Sequence, residues 1–280
     1  MNKAYALFEL MRLDKPIGIY LLLWPALIAL VISTKGNFQY SDLIIVIIGS
    51  IIVRSAGCVI NDIWDKDLDG NVERTKLRPI PSKKVSIQES WALFIMLGVF
   101  SLILLSLTNT NTILISLCFG LMIVVYPLTK RFFIGPQIFL GLTFNPTIIV
   151  YAMTNELNNS TMIFLYLAIS AMTIAFDTLY GMCDKDDDKK LGINSTPLWW
   201  GSNTLVIVAI FQSLSICLLL MVGWQAELEF IWLIGTLFLS GFYFYQHQLA
   251  KQKKYLLAFK NNHFASLYLL MLSVFCFHMI

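Results

Sequence analysis

Nine times along this chain, about 20 consecutive residues are almost wholly apolar: roughly 17–34, 42–60, 90–107, 111–127, 134–153, 160–180, 203–222, 229–247 and 263–280. Stretches of that length match the hydrocarbon thickness of a bilayer. In lipid each segment must satisfy its own backbone hydrogen bonds, and the α-helix does this within one stretch. The pattern predicts an all-α, multi-span membrane protein, a bundle of nine transmembrane helices. Composition agrees, with 58% hydrophobic and only 13% charged residues, where soluble domains carry about 25% charged. A soluble domain of this size needs a larger polar shell, and a disordered chain needs few apolar residues and high net charge. Both classes are excluded. Turn-forming runs such as Lys35-Gly36-Asn37, Thr108-Asn109-Thr110-Asn111 and Asn155-Glu156-Leu157-Asn158-Asn159 punctuate the stretches. No part has the composition of a separate soluble domain, so 1–280 reads as a single integral membrane domain. The first apolar stretch lacks a small-residue cleavage pattern and reads as a span, not a signal peptide.

The 20 basic residues orient this bundle. Lys3, Arg12 and Lys15 precede the first stretch, and six more lie between the second and third. Lys130 and Arg131 follow the fourth. Lys185, Lys189 and Lys190 follow the sixth, and Lys251, Lys253, Lys254 and Lys260 follow the eighth. That places 18 on one side, leaving Lys35 opposite and Arg54 inside the second stretch. The positive-inside rule assigns the N-terminus to the cytoplasm and the C-terminus to the other side. The cysteines (58, 118, 183, 217 and 276) are odd in number and widely spaced, so they read as small apolar fillers. His247, His263 and His278 are scattered and read as interfacial or structural.

The acids are not scattered. Of 17, eleven fall between residues 61 and 89 or between 177 and 188, on the side assigned to the cytoplasm. The first cluster contains Asn61-Asp62-Ile63-Trp64-Asp65-Lys66-Asp67-Leu68-Asp69. The second runs from Asp177-Thr178-Leu179-Tyr180 through Asp184 to Asp186-Asp187-Asp188. If the helices continue past the membrane surface, Asp62, Asp65 and Asp69 share a face within about 60°, with Asn61 beside them. Asp177, Tyr180, Asp184 and Asp188 likewise fall within about 80°. Such stripes repel unless a counter-ion is present. Hard oxygen donors without histidine or thiolate point to Mg²⁺, which commonly shares its shell with phosphate oxygens.

A solvated acidic loop would explain one cluster but not two at corresponding helix ends. An EF-hand fails as well, although Asp65, Asp67, Asp69 and Gly70 match its loop positions. Its twelfth position requires a bidentate glutamate and falls on Lys76. Arg54 lies seven residues before Asn61, on the same face and deeper, and an arginine within a span usually faces the bundle interior at a functional site.

With these residues in hand, the chain resembles the UbiA superfamily of membrane prenyltransferases. Asn61-Asp62-x-x-Asp65-x-x-x-Asp69 resembles the first aspartate motif of that superfamily, and the second cluster is similar to its second motif. Further likeness lies in Arg12-Leu13-Asp14-Lys15-Pro16-Ile17-Gly18, Leu23-Trp24-Pro25, Ala56-Gly57-Cys58-Val59, Arg74-Thr75, Arg78-Pro79, Gly192-Ile193 and Ser195-Thr196. These phrases resemble the bacterial branch that prenylates 4-hydroxybenzoate in ubiquinone biosynthesis, over roughly residues 8–280. Lys83, Asn194 and Phe144-Asn145-Pro146 depart from the family pattern.

The resemblance implies Mg²⁺-dependent transfer of a polyprenyl group from its diphosphate to the carbon ortho to the phenol oxygen. It implies two ions, one held by Asn61, Asp62, Asp65 and Asp69 and the other by Asp177, Asp184 and Asp188. Arg12, Arg54, Arg74, Arg78 and Lys130 become expected diphosphate ligands, with Asp62, Asp65, Asp184 and Arg54 at the centre of catalysis. Arg131 is assigned to the benzoate carboxylate, and Tyr126 and Tyr180 to shielding an allylic cation. The expected location is the bacterial inner membrane, with the site near the cytoplasmic face. Neither a nucleic acid nor an obligate protein partner is expected. Three other functions compete: a same-fold enzyme with another aromatic or tetrapyrrole acceptor, a CDP-alcohol phosphotransferase, and a cation transporter. The second condenses its acids into one segment, whereas 107 residues separate Asp69 from Asp177. A transporter would place acids near mid-span.

Overall fold

Helix forms in every one of the nine apolar stretches, and among the described residues no strand forms. The structure is a computed structural model that describes residues 3–70, 72–228 and 230–278. In chain order the helices are α1 (Lys3–Leu10), α2 (Ile17–Ser33), α3 (Tyr40–Trp64), α4 (Lys66–Asp69), α5 (Ile87–Leu105), α6 (Thr110–Thr129) and α7 (Pro136–Thr143). They continue as α8 (Thr147–Met153), α9 (Ser160–Gly181), α10 (Lys185–Leu191), α11 (Thr196–Trp200), α12 (Thr204–Gln225), α13 (Phe230–Lys251) and α14 (Tyr255–His278). Residues 229, 279 and 280, at the edges of the last two predicted spans, lie outside the described residues.

Among the described residues, five segments are long and apolar enough to cross a membrane: α3, α5, α6, α9, and the run from Thr196 to Gln225. The remaining stretches fall short for identifiable reasons. Helix α2 is apolar but has 17 residues. Helices α13 and α14 have the length but carry Gln246, His247, Asn261 and Asn262. Those polar groups turn inward: Gln246 bonds Gln212 of α12 at 2.8 Å and Asn262 at 3.2 Å, and His247 meets Gln212 at 3.0 Å. Buried polar groups in an apolar bundle need such partners.

The stretch 134–153 is not one helix. Pro146 lacks an N–H and disfavours helical geometry in the residue before it, so the chain breaks between α7 and α8. Asn145 satisfies the break. Its Oδ1 accepts from the Thr147 N–H at 3.2 Å, and its Nδ2 donates to the Tyr166 carbonyl at 2.7 Å and to Ser170 Oγ at 2.9 Å.

The largest core lies between α2, α8, α9, α12, α13 and α14, around Ile28, Leu30, Tyr151, Leu165, Leu219 and Trp232, each almost wholly buried. A second core joins α1, α3 and α5 to the 72–86 connection through Leu10, Val59, Ile60 and Val85. This second core fixes the N-terminal segment and that connection beside the end of α3, where the first acidic motif begins.

Candidate active site

The acidic motifs end their helices instead of extending them. Helix α3 stops at Trp64, Asp65 forms the junction, and α4 carries Asp69. Helix α9 stops at Gly181. Cys183 and Asp184 then bond back three residues, to the carbonyls of Tyr180 and Gly181, before α10 begins. The continuous helices expected from the spacing are therefore interrupted. The i,i+4 bonds Asp65→Asn61, Asp69→Asp65 and Asp188→Asp184 nevertheless survive, at 2.9, 2.8 and 2.8 Å, so the faces are kept.

Both motifs line one cavity of about 1620 Å³. Asn61, Asp62, Asp65, Asp69, Asp177, Asp184 and Asp188 all contribute to its wall, as do Arg12, Arg54, Arg74, Arg78, Lys130, Tyr126 and Tyr180. Arg131 is the exception. It lies outside the lining, is exposed, and donates to the Trp64 carbonyl at 2.6 Å. The expected carboxylate role for Arg131 has no geometric support, because its guanidinium is engaged on the outside of α3.

On the first wall, each acid meets a cation. Asp62 is 1% exposed and takes Arg12 at 2.8 Å and Arg78 at 3.1 Å. Arg78 also reaches Asp69 at 2.7 Å, bridging two acids. Lys130 binds Asp65 at 2.5 Å, and Asn61 donates to the same Oδ2 at 3.2 Å. Burial pushes the Asp65 carboxyl up from the usual range, with Lys130 opposing. Arg12 has φ 58, a left-handed backbone uncommon outside glycine, at the turn between α1 and α2.

The second wall is different. Arg74 grips Asp184 with two bonds, Nε at 2.8 Å and Nη2 at 2.5 Å, and its Nη1 donates to Tyr180 Oη at 2.5 Å. This pair spans 110 residues of sequence and joins the two motifs directly. Asp177 and Asp188 form no ion pair with any described residue. Burial, then the charge of Asp184, pushes the Asp188 carboxyl up to about 6.

Arg54 lines the same cavity, about 10 Å deeper than Asn61 at 1.5 Å per helical residue. Its guanidinium lies over the Phe144 ring at 5.2 Å, and its buried Nε has no hydrogen-bond partner. Gly18 makes this position possible: a Cβ there would lie 2.5 Å from Arg54 Nε. Phe144 and Gly18 were both visible in the sequence, yet nothing in their spacing pointed to Arg54. His263, read from the sequence as interfacial or structural, lines the cavity and accepts from Trp24 Nε1 at 2.9 Å. His247 fits the structural expectation, and the His278 side chain lies outside the described residues. All five cysteines are free.

Among the described residues, no three His, Cys, Asp or Glu side chains converge tightly enough to enclose a metal. The donors present are carboxylate and carboxamide oxygens, a hard set, and Asp65 presents a buried Oδ1 without a hydrogen-bond partner. This set fits Mg²⁺, which is usually held by one or two carboxylates and completes its shell with water and substrate phosphate oxygens.

The chain is similar to known proteins over most of its length. A family model described as the UbiA prenyltransferase family matches residues 22–270. The 4-hydroxybenzoate octaprenyltransferase of Vibrio campbellii is 38% identical over 272 residues, covering 95% of each chain. The enzyme of the same name from Stutzerimonas stutzeri is 39% identical, covering 96% of this chain and 92% of its own. Among solved structures, a UbiA homologue from Aeropyrum pernix superposes with a TM-score of 0.80 at 23% identity, covering 90% of this chain and 94% of its own. A homologue from Archaeoglobus fulgidus, solved with GPP and Mg²⁺, gives 0.74 at 16% identity, covering 98% of this chain and all of its own. These two share the fold.

Proposed function

This chain belongs to the UbiA prenyltransferase family, and from that premise we propose that it transfers a polyprenyl group from polyprenyl diphosphate to 4-hydroxybenzoate. The group goes to the ring carbon ortho to the hydroxyl, in ubiquinone biosynthesis. The observation that carries the reading is the meeting of both acidic motifs and five basic side chains in one cavity. Relatives named for this reaction at 38–39% identity supply the acceptor. The finer reading is a single domain with nine spans, its N-terminus in the cytoplasm of a bacterial cell. The site then opens toward the cytoplasmic face of the inner membrane. The placement of 18 basic residues supports that orientation.

The allylic C–O bond breaks, the diphosphate leaves with the electron pair, and the allylic carbon bonds to the ring, which then loses a proton. Charge builds on the departing diphosphate, so catalysis depends on groups already in place to meet it. Arg12, Arg78, Lys130 and Arg74 stand beside the two acidic rows and present N–H donors to the diphosphate oxygens. Asn61, Asp62, Asp65 and Asp69 would hold one Mg²⁺, and Asp177, Asp184 and Asp188 would hold a second. Bound Mg²⁺ neutralises charge on the leaving group without any proton transfer. Arg54 reaches the cavity from the membrane side of these acids, where it meets charge at the reacting end of the substrate. The rings of Tyr126 and Tyr180 face the cavity, shield the cation and keep water from it.

The test is an assay of membranes bearing the protein with a polyprenyl diphosphate and a panel of phenolic acceptors. Prenylated 4-hydroxybenzoate is expected, and only with Mg²⁺ present. Preference for a different acceptor would replace the acceptor assignment, and turnover that survives EDTA would end the metal-dependent reading. Orientation is checked separately: Lys84→Cys, in a chain whose five native cysteines are replaced by serine, should react with an impermeant thiol reagent only from the cytoplasmic side.

A further inference from the structure

The cavity that holds the acids runs far beyond them. Along α6 it is lined from Lys130 and Pro127 to Ser116 and Thr112. The rise from Thr112 to Pro127 is about 23 Å at 1.5 Å per residue, and the hydrocarbon core of a bilayer is about 30 Å thick. The cavity therefore crosses most of the membrane, and the wall that ends it is thin. Thr108 and Met153 line this cavity and also line a second one of about 370 Å³ beyond it. That second cavity is polar, with Thr34, Asn37, Gln39 and Asp42 on its far side.

Two turns make up the wall: residues 106–109 between α5 and α6, and 154–159 between α8 and α9. Asn109 joins the first turn to the end of α8. As the N-cap of α6, its Oδ1 accepts from the Thr112 N–H at 2.9 Å and from the Thr112 hydroxyl at 3.0 Å. Its Nδ2 donates to the Ala152 carbonyl at 2.7 Å and the Met153 carbonyl at 3.2 Å, with Asn155 Oδ1 at 3.3 Å. Both carbonyls belong to the last turn of α8, the end at which a helix runs out of its own donors. Ser106 and Thr108 instead bond back to Ile103 and Leu105 of α5. Among the described residues, Asn109 alone ties this turn to α8 through a side-chain hydrogen bond.

We propose that Asn109 is the latch that seals the cavity against the water beyond the α5–α6 turn, so that the chain stays a barrier to ions. An ion in hydrocarbon is costly, but a parted wall would join the charged cavity to the polar one and give small ions a path that avoids lipid. A carboxamide suits the task because it carries an acceptor for α6 and two donors for α8 on one side chain. Aspartate and serine also cap helices well, but neither carries that pair of N–H donors. The latch works in the same way whatever the cavity binds.

The experiment puts one cysteine behind the wall: Ser116→Cys, in a chain whose five native cysteines are replaced by serine. Ser116 lines the cavity about one helical turn past Thr112, and its buried Oγ has no hydrogen-bond partner. Asn109→Asp and Asn109→Ser are then added singly; both keep a capping oxygen for α6 and lose the carboxamide donors. In sealed vesicles, methanethiosulfonate ethylsulfonate, an impermeant anion, is applied to the face opposite the one from which Lys84→Cys reacts. Lys84 and the α5–α6 turn lie at opposite ends of α5, so this face bears the wall. Expected is slow modification in the parent and modification on the order of 10-fold faster in each variant, because the bonds that hold the turn to α8 are gone. Elution of the variants at the parent's volume in detergent shows that they fold. Unchanged rates in both variants, or a parent that reacts as fast as they do, would overturn the proposal.

Discussion

The two acidic walls use the same residue type in different surroundings. Asp62, Asp65 and Asp69 are 1%, 2% and 6% exposed, and every one is ion-paired by Arg12, Arg78 or Lys130. On the opposite wall only Asp184 is paired, by Arg74, while Asp177 and Asp188 have no described cation within ion-pair distance. On one wall every carboxylate has a cation of this chain beside it. The other presents excess negative charge to the cavity and has more to gain from a bound cation.

The comparison is broken most easily through stability. Asp62→Asn leaves Arg12 and Arg78 facing a neutral amide in a buried setting, and removing one partner of such a pair costs on the order of 3 kcal/mol. Asp188→Asn removes a carboxylate whose charged form burial and Asp184 already disfavour, so stability should not fall. Both variants should lose activity by about 100-fold or more. Thermal unfolding in detergent separates them: a large drop in Tm for the first and little change for the second. Equal drops would show that the walls are not different in kind.

Proton competition sharpens the same contrast. With the Asp188 carboxyl raised to about 6, acidification through that value protonates it, and a protonated carboxyl is a poor Mg²⁺ ligand. Apparent Mg²⁺ affinity should therefore weaken as pH falls from 7 to 5, and Mg²⁺ binding should release protons, measurable by calorimetry in two buffers of different ionisation enthalpy. Asp188→Asn should reduce this release. The smallest effect is expected at Arg131. It bonds the Trp64 carbonyl outside the cavity, so Arg131→Ala should leave the KM for 4-hydroxybenzoate within about two-fold, since no buried partner is left unpaired. A large rise would return Arg131 to the acceptor site.

Much of this arrangement was legible because it is written in local spacing. Helical periodicity placed Asn61, Asp62, Asp65 and Asp69 on one face, and charge asymmetry showed which helix ends belong together. The break between α7 and α8 was not read, because the apolar length of 134–153 hid it, although Pro146 carries its cause. What spacing could not show are contacts between distant segments. Arg74 and Asp184 meet across 110 residues, and Arg12 and Asp62 across 50. The need for glycine at position 18 appears only when Arg54 is found against it. Arg131 lies outside the cavity that its neighbour Lys130 reaches, because one residue along a terminating helix is enough to point a side chain elsewhere.

The central claim is that the two walls act as one metal–diphosphate site. Its most direct test is single-turnover prenylation of 4-hydroxybenzoate in membranes bearing the wild-type chain, Asp65→Asn, Asp184→Asn or the double variant, each across a Mg²⁺ titration. If the walls form one site, either single variant loses nearly all activity and the double variant is scarcely worse, because groups acting as a unit are not additive. Full activity in the double variant, or losses that multiply independently, would contradict it.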